Sequence, residues 1–425
     1  MKVSRVCIWG AGLSGYTLAR AFAEKARVRS LLIDIDQDKV RRIGDGAMPF
    51  GYPVSFLSEP SVTCSALIAA SSEPRDALSE ELAVHMICVP TEANGTISKA
   101  ALIAVVSTLA EGSRARPLYV VIESTVAPSW VDDVYDIFEA RGWRRGVDLH
   151  LGASARRDVF GDESRSLGRV SKVFGGDTPS MIALMRDLYG PIWPELHQAT
   201  DAKEAMLVKV VENMMRYSAV TLANLVAASY TGFDVANVLR LAATKWNMPL
   251  YYPGLGVAGY CIPVAKDYVA DSALPDDRSY FDLLGASEAG LTQRAMTAVA
   301  RWTTGRDVAI LGLAYAPELK IHVRSPSLTL CEHLRTRSRS VAVHDPLYSA
   351  DELSALTGAK AFDLSDLAEF DTIVLMTAHR SYLASQMPKV DTSRAVTIID
   401  NGGHWRDRKF PSNVIYRQVG GRDFY

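Results

Sequence analysis

No run of about 18 uninterrupted apolar residues occurs in this 425-residue chain, which excludes a helix of membrane-spanning length. Charge of one sign is equally scarce. With 46 Lys and Arg against 48 Asp and Glu the formal net charge is -2, leaving no electrostatic footprint for nucleic acid or an anionic membrane. Any anionic ligand must therefore be held locally. Cysteine is sparse too: Cys7, Cys64, Cys88, Cys261 and Cys331 are odd in number, far apart and without CxxC spacing, which argues against a disulfide framework or a zinc site. No metal is expected. Low-complexity segments and short repeats are missing as well. The opening, Met1-Lys2-Val3-Ser4-Arg5-Val6, has no long apolar stretch before the first glycine turn. A soluble, unprocessed, cytoplasmic chain with reduced thiols is expected, and there the Asn94-Gly95-Thr96 sequon reads as a turn.

A chain this long, 48% hydrophobic, exceeds one ordinary core. Short Val- and Ile-rich runs alternate with helical patterns through the first third: Arg5 to Trp9, Ser30 to Ile35, His85 to Val89 and Leu118 to Ile122. Such runs are buried parallel strands. The pattern then changes to one long helix, about Ala202 to Tyr230, whose Leu207, Val210, Val211, Met214, Met215, Val220, Leu222, Leu225 and Val226 cover much of its circumference. That predicts burial on more than one side, as in a domain connector that is also a dimer interface. Strands return at Val308 to Leu311, Ser340 to Val343, Thr372 to Met376 and Val396 to Ile399. The expected fold is α/β, with two Rossmann-like doubly wound domains (1–198 and 301–425) joined by a helical central domain (199–300).

Gly10-Ala11-Gly12-Leu13-Ser14-Gly15 follows the first strand and opens a helix. Gly10 and Gly12 allow the tight turn and close approach of backbone to a pyrophosphate, Gly15 lets helix pack on strand, and the amides from Leu13 onward face the phosphates. The next strand ends in Asp34, 19 residues after Gly15, where a carboxylate binds the adenosine ribose and repels a 2'-phosphate. NAD, rather than NADP, is the expected cofactor.

Three further residues carry chemistry. Cys261, between the glycine-rich turn Gly254-Leu255-Gly256-Val257-Ala258-Gly259 and Pro263, suits covalent catalysis, because a thiolate adds to an aldehyde and the adduct can lose hydride. Alone, a cysteine in an apolar setting is more often an inert core residue. Lys209 and Asn213 stand at i and i+4 on the long helix and so share a face. Beside a nucleophile they form an oxyanion site; otherwise such a lysine snorkels or pairs with a carboxylate such as Glu212.

These residues, in this order, resemble the UDP-glucose/GDP-mannose 6-dehydrogenases, the nucleotide-sugar dehydrogenases. The resemblance spans nearly the whole chain. It is carried also by Ile87-Cys88-Val89-Pro90-Thr91, Glu123-Ser124-Thr125-Val126, Lys172-Val173-Phe174-Gly175-Gly176, Lys209-Val210-Val211-Glu212-Asn213, Gly259-Tyr260-Cys261-Ile262-Pro263 and Gly312-Leu313-Ala314-Tyr315. It implies an NAD domain, a helical homodimer core and a C-terminal nucleotide-sugar domain. The implied reaction oxidises the C6 alcohol of a nucleotide sugar to a carboxylate with two NAD. By position, Cys261 carries the thioester, Lys209 and Asn213 form the oxyanion site, and Thr125 orders the catalytic water. Val89, Pro90, Thr91, Ser124 and Thr125 join the glycines at the cofactor, and Tyr252, Gly256, Tyr260 and Arg324 join Lys209 and Asn213 at the substrate.

Several positions depart from the family pattern. The usual Ser-Pro-Glu-Arg reads Ala153-Ser154-Ala155-Arg156, placing Ala155 where a glutamate is expected; Asp158, Asp162 or Glu163 substitutes only if the loop is rearranged. The aspartate after the cysteine is Ala265, with Lys266-Asp267 just beyond, so Asp267 is the candidate acid/base there. In the third domain the usual lysine is Ala316 and the usual arginine Val323, followed by Arg324. Two rival readings stay open: a dehydrogenase that stops after one hydride and releases an aldehyde, and a non-catalytic nucleotide-binding dimer. The sugar, the base and the pathway are not legible.

Overall fold

The computed structural model describes every residue except 1, 2, 4, 52, 53, 55, 56, 80–82, 161 and 385–392, and also leaves out the side chain of Glu163. Met1, Lys2 and Ser4 of the opening segment therefore lie outside the described residues. The chain divides into two compact units, Met1–Glu212 with Asp267–Pro275, and Asn213–Lys266 with Asp276–Tyr425.

In the first unit, β1 (Arg5–Trp9), β2 (Arg29–Ile33), β3 (Ile68–Ser71), β4 (Val84–Ile87), β7 (Leu118–Ile122), β8 (Leu149–Ala153), β9 (Lys172–Gly176) and β10 (Leu196–Gln198) form an eight-stranded sheet. Its order is β10-β9-β8-β7-β4-β1-β2-β3. All neighbours run parallel except β8 and β9, which pair antiparallel. A separate hairpin of β5 (Glu92–Ala93) and β6 (Thr96–Ile97) turns at Asn94 and Gly95, both at positive φ (50° and 83°), the conformation a two-residue type I′ turn demands. Strands β1, β4 and β7 are almost wholly buried because helices cover both faces of a parallel sheet. Strand β8 escaped the sequence reading because His150 and Gly152 interrupt its apolar run.

The second unit holds a six-stranded, all-parallel sheet. Its strands are β11 (Asp307–Leu311), β12 (Ser340–His344), β13 (Lys360–Ala361), β14 (Thr372–Leu375), β15 (Val396–Asp400) and β16 (Val414–Gln418), in the order β13-β12-β11-β14-β15-β16. One apolar cluster, including Val308, Ile310, Val374 and Ile399, packs against Leu255, Met296 and Leu330, and the opposite face buries Leu311, Leu375, Ile398 and Trp405.

The long helix runs Ala202–Ser229. One side buries Met206, Val210, Asn213, Met214, Tyr217, Thr221, Asn224 and Ala228. The other side is not buried within the single chain: Leu207, Val211, Met215, Leu222 and Leu225 stay between 40% and 69% exposed. A second helix of similar length, Arg278–Thr303, buries only its last turns, and this one-ended burial gave the sequence pattern little to show. Among the described residues, no helix is long and apolar enough to cross a membrane and no metal-binding cluster occurs.

Beneath the carboxyl ends of β7 and β8 lies a buried charge pair. Lys172 Nζ donates to Glu123 Oε2 (3.0 Å) and to the Ser154 carbonyl (3.0 Å), and it sits over the rings of Tyr189 and Trp193. Tyr189 donates its hydroxyl to the other Glu123 oxygen, and burial together with that carboxylate raises the phenol's pKa. Both charged side chains are at most 3% exposed, so each is tolerated only because the other is there. Glu123→Ala should lower stability by about 3–5 kcal/mol, whereas replacing both partners by apolar residues of similar volume should cost far less. Urea denaturation of the two variants checks this; equal losses would contradict it.

Candidate active site

In a parallel sheet, ligands bind outside the carboxyl ends of the strands where the order reverses, which here falls between β1 and β4. The loops there are tightly fitted. Gly10 is at φ +100°, and a Cβ on it would lie 2.5 Å from the Cys88 carbonyl oxygen; one on Gly15 would lie 1.9 Å from the Gly10 oxygen. A Cβ on Gly12 would meet nothing within 4 Å, so Gly12 borders open space that a ligand can approach. Gly12 also caps the helix Leu13–Ala21 without a side-chain bond, leaving the first-turn amides without a capping acceptor.

Asp34 follows β2 and braces this loop. Its Oδ2 accepts from the Ala11 amide (2.7 Å) and its Oδ1 from the Asp36 amide (2.9 Å), with Lys39 Nζ 3.7 Å away. An open backbone cradle, uncapped helix amides and a carboxylate at the end of the second strand fit a dinucleotide. The neighbouring loops are tied to one another: Ser124 donates to the Val89 carbonyl (2.7 Å) and Thr91 to that of Thr125 (2.8 Å). Pro90 lies between Val89 and Thr91 in the first of these loops. Tyr268, which the sequence reading did not single out, bonds Thr91 from behind.

Two of the alternative carboxylates of the neighbouring loop, Asp158 and Asp162, are engaged. Ala155 is buried. Arg156 grips Asp158 with Nε (2.8 Å to Oδ1) and Nη2, while its Nη1 donates to the Ser14 carbonyl (3.2 Å) and to Thr17 Oγ1. Asp162 accepts from Ser164, whose hydroxyl is the main cause of a lowered carboxyl pKa. Glu163's side chain lies outside the described residues. On the long helix Lys209 is half-buried and Asn213 buried, one turn apart on a shared face, and Glu212 pairs with Arg157 (2.7 Å).

In the second unit, Cys261 is the one exposed thiol of the five. Burial pushes the thiol pKa of Cys7, Cys64, Cys88 and Cys331 upward, to about 12 for Cys331, away from the reactive thiolate. The Cys261 loop is pinned by its backbone. The amides of Gly254, Leu255, Val257 and Gly259 donate to Asn224 Oδ1 (2.8 Å), Asn401 Oδ1 (3.0 Å), Glu288 Oε1 (3.3 Å) and the Val323 carbonyl (3.1 Å). Gly256 (φ +135°) and Gly259 (φ +87°) hold conformations in which a side chain is strained, and a Cβ would stand a tight 3.0 Å from Thr292 Oγ1 and from the Tyr315 ring, respectively. Arg324, itself at φ +49°, reaches the Gly259 carbonyl (3.4 Å). The Tyr315 hydroxyl is pushed up to about 12, first by burial and then by neighbouring Cys261 and Tyr260.

Gly256, Tyr260, Cys261 and Arg324 are therefore brought together. Tyr252 is not among them: it lines a separate cavity of about 770 Å³ with Arg240, Arg406 and Arg417, and its hydroxyl accepts from Arg406 (2.6 Å). Ala265 is fully buried and opens the helix Ala265–Ser272, with half-buried Asp267 in its first turn.

The second sheet repeats the bracing with a difference. Asp345, after β12, accepts from the amides of Leu313 (2.7 Å), Ala314 (2.9 Å) and Leu347 (2.9 Å) and pairs with His379 (3.1 Å). Burial opposes its charge, but His379 and the amides hold its carboxyl below the usual range. With both oxygens occupied and 2% exposure, it has no capacity left for a ribose. A strand ending in Gly312 followed by one ending in Asp345 was the available signal.

Comparison with known proteins agrees with this reading. Residues 4–193 match the UDP-glucose/GDP-mannose dehydrogenase family NAD binding domain, 203–287 its central domain and 309–405 its UDP binding domain. The class is that of an NAD-dependent oxidoreductase. The chain belongs to the UDP-glucose/GDP-mannose dehydrogenase family, and NAD is its cofactor. It is similar to the UDP-N-acetyl-D-mannosamine dehydrogenase of Pyrococcus horikoshii (26% identity, 99% of this chain and 100% of that protein). It is also similar to the UDP-N-acetyl-D-glucosamine 6-dehydrogenase of Pseudomonas aeruginosa (27%, 90% and 92%). In fold it superimposes on the P. horikoshii UDP-D-ManNAc dehydrogenase (TM-score 0.82, 23% identity, 99% and 100%) and on a UDP-glucose dehydrogenase of Pyrobaculum islandicum (0.82, 19%, 99% and 98%).

Asp34→Ala should weaken NAD binding by about tenfold or more, the loss expected for a charge-assisted bond, while affecting NADP less. Titration with each dinucleotide checks this, and equal weakening of both would remove Asp34 from ribose recognition.

Proposed function

We propose that this enzyme oxidises the C6 alcohol of a UDP-linked sugar to the carboxylate through a thiohemiacetal and then a thioester on Cys261. The observation that carries the reading is Cys261 itself, an exposed thiol on a loop whose backbone is fixed at four amides. The two relatives named above by sequence are a UDP-N-acetyl-D-mannosamine and a UDP-N-acetyl-D-glucosamine dehydrogenase, which makes UDP-N-acetylhexosamines the first class to test. Bound NAD, held by Gly10, Gly12, Leu13, Gly15, Asp34 and the loops of Val89, Pro90, Thr91, Ser124 and Thr125, supplies the hydride acceptor, two per sugar. Lys209 and Asn213 donate to the substrate oxygen as it becomes an alkoxide and again as the oxyanion of the thiohemiacetal. The Cys261 sulfur attacks the aldehyde carbon and later leaves from the thioester, with Thr125 ordering the water and Asp267 the candidate base. Gly256, Tyr260 and Arg324 contact the substrate; Tyr252 belongs there only if substrate reaches its separate cavity. A cytoplasmic setting keeps the thiol reduced. We divide the chain functionally into residues 1–198, 199–300 and 301–425.

A specific observation favours slow release of product. The replacement positions Ala155 and Ala265 are buried, and Asp158 is held by Arg156. That leaves Asp267 or Thr125 with a water to activate the nucleophile, and unless one of them takes over, the loss is about 10² to 10⁴ in rate. A Cys261 adduct should therefore accumulate in rapid-quench intact-mass measurements, and Cys261→Ser should make no acid. Linear turnover at two NADH per sugar without an adduct would show that another group supplies the base. Acid formation by Cys261→Ser would remove the thiol from the mechanism.

The exposed side of the long helix, Leu207, Val211, Met215, Leu222 and Leu225, supports a homodimer through that helix. Met215→Glu with Leu222→Glu should convert the dimer to monomer in sedimentation velocity; an unchanged assembly would place the interface elsewhere.

A further inference from the structure

The helix Ala265–Ser272 begins four residues after Cys261 and is fastened within the first unit to the loops beside the dinucleotide crevice. Tyr268 is 4% exposed. Its hydroxyl lies 2.8 Å from Thr91 Oγ1 and 2.9 Å from the Thr91 carbonyl, and Thr91 Oγ1 donates to the Thr125 carbonyl at 2.8 Å. The ring stands edge-on to Trp130 (5.8 Å between centroids). One turn further on, Asp271 accepts from Trp130 Nε1 (3.0 Å) and Ser129 Oγ (2.6 Å). The helix is thus held by Trp130 and Asp271 whether or not Tyr268 has a hydroxyl. The hydroxyl has a separate consequence: it completes the chain Tyr268 O–H to Thr91 O–H to Thr125 C=O along the carboxyl ends of β4 and β7.

We propose that Tyr268 is a positioning residue that sets the Thr91–Thr125 shelf of the cofactor crevice from the chain segment that follows the nucleophile. The inference rests on the reading of Thr91 and Thr125 as cofactor-binding residues. Without the phenol proton, Thr91 Oγ1 loses a donor and its rotamer is no longer fixed from both sides, so the Thr125 carbonyl and the peptide after it lose their register. A hydroxyl bonded on both sides polarises along the chain, so the links act together. Six residues separate Cys261 from Tyr268, and the segment carrying the thiol therefore ends on the residue that orders the cofactor loops.

The test uses the full-length protein and reads NAD binding by calorimetry without sugar, so it does not depend on turnover or on the sugar's identity. Tyr268→Phe keeps the ring on Trp130 and should weaken NAD by about 5- to 10-fold, the loss expected for one buried hydrogen bond in a cooperative chain. Catalytic efficiency for NAD should fall in parallel while KM for the nucleotide sugar moves less than about twofold. Thr91→Val should produce a similar loss, and Thr91→Ser, which restores the hydroxyl, should recover most of it. The double variant Tyr268→Phe/Thr91→Val should bind NAD no more weakly than Thr91→Val alone, because both changes break one chain. Wild-type NAD affinity in Tyr268→Phe, or losses that multiply in the double variant, would overturn the proposal. Should Tyr268→Phe fail to fold, equal NAD affinity of Thr91→Val and Thr91→Ser would overturn it as well. Absence of turnover on every nucleotide sugar, with these NAD affinities as expected, would defeat only the proposed substrate and leave Tyr268 in place.

Discussion

A parallel sheet ends each strand in a loop whose amides have left the ladder and must find other acceptors. In both sheets of this chain the loop after the first strand is held by an aspartate after the second: Asp34 takes the Ala11 amide, and Asp345 takes those of Leu313 and Ala314. The rest of each crevice depends on that constraint, because a glycine loop free to move cannot hold its helix amides toward a phosphate. The two aspartates then diverge. Asp34 keeps lone pairs and partial access, whereas Asp345 is sealed among three amides and His379. One strand-loop-helix plan therefore yields one crevice with a partly accessible carboxylate and one whose carboxylate is sealed.

Around the first crevice, polar groups that would be costly alone are satisfied in sets. Lys172, Glu123 and Tyr189 compensate one another beneath the loop of Ser124 and Thr125, and Arg156 joins Asp158 to the first turn of the glycine-loop helix. These sets are rigid supports in a low-dielectric setting. They also bear on chemistry. A carboxylate gripped by a guanidinium stabilises a fold but makes a poor general base, and Asp158, in the loop that follows Ala155, is gripped in this way.

Cys261 is treated differently from the other four cysteines. Cys7, Cys64, Cys88 and Cys331 have thiols pushed toward the neutral form by burial, while Cys261 is left at the surface of a loop in which Gly256 and Gly259 adopt conformations other residues resist. Tyr315 and Arg324, from a segment more than fifty residues downstream, close on that loop. The exposure of this thiol is a property of the packing around it.

Periodicity and spacing determined the α/β–helix–α/β order, the glycine fingerprint with Asp34, the long helix and the placement of Cys261 on a glycine-rich loop, because each of these is local and its pattern lies within a few turns or strands. Burial of the long helix on more than one side was read from the same pattern, yet within one chain Leu207, Val211, Met215, Leu222 and Leu225 are exposed; periodicity reports an apolar surface and cannot name what covers it. Only tertiary structure decided that Tyr252 stands apart from Cys261, that Asp158 belongs to Arg156, that Asp345 is occupied and that Tyr268 lies behind Thr91. Except for Arg156 and Asp158, which are two residues apart, these depend on side chains far apart in sequence meeting at short range, and hydrogen bonds and ion pairs, unlike helical or strand periods, leave no trace in the spacing of the residues that make them.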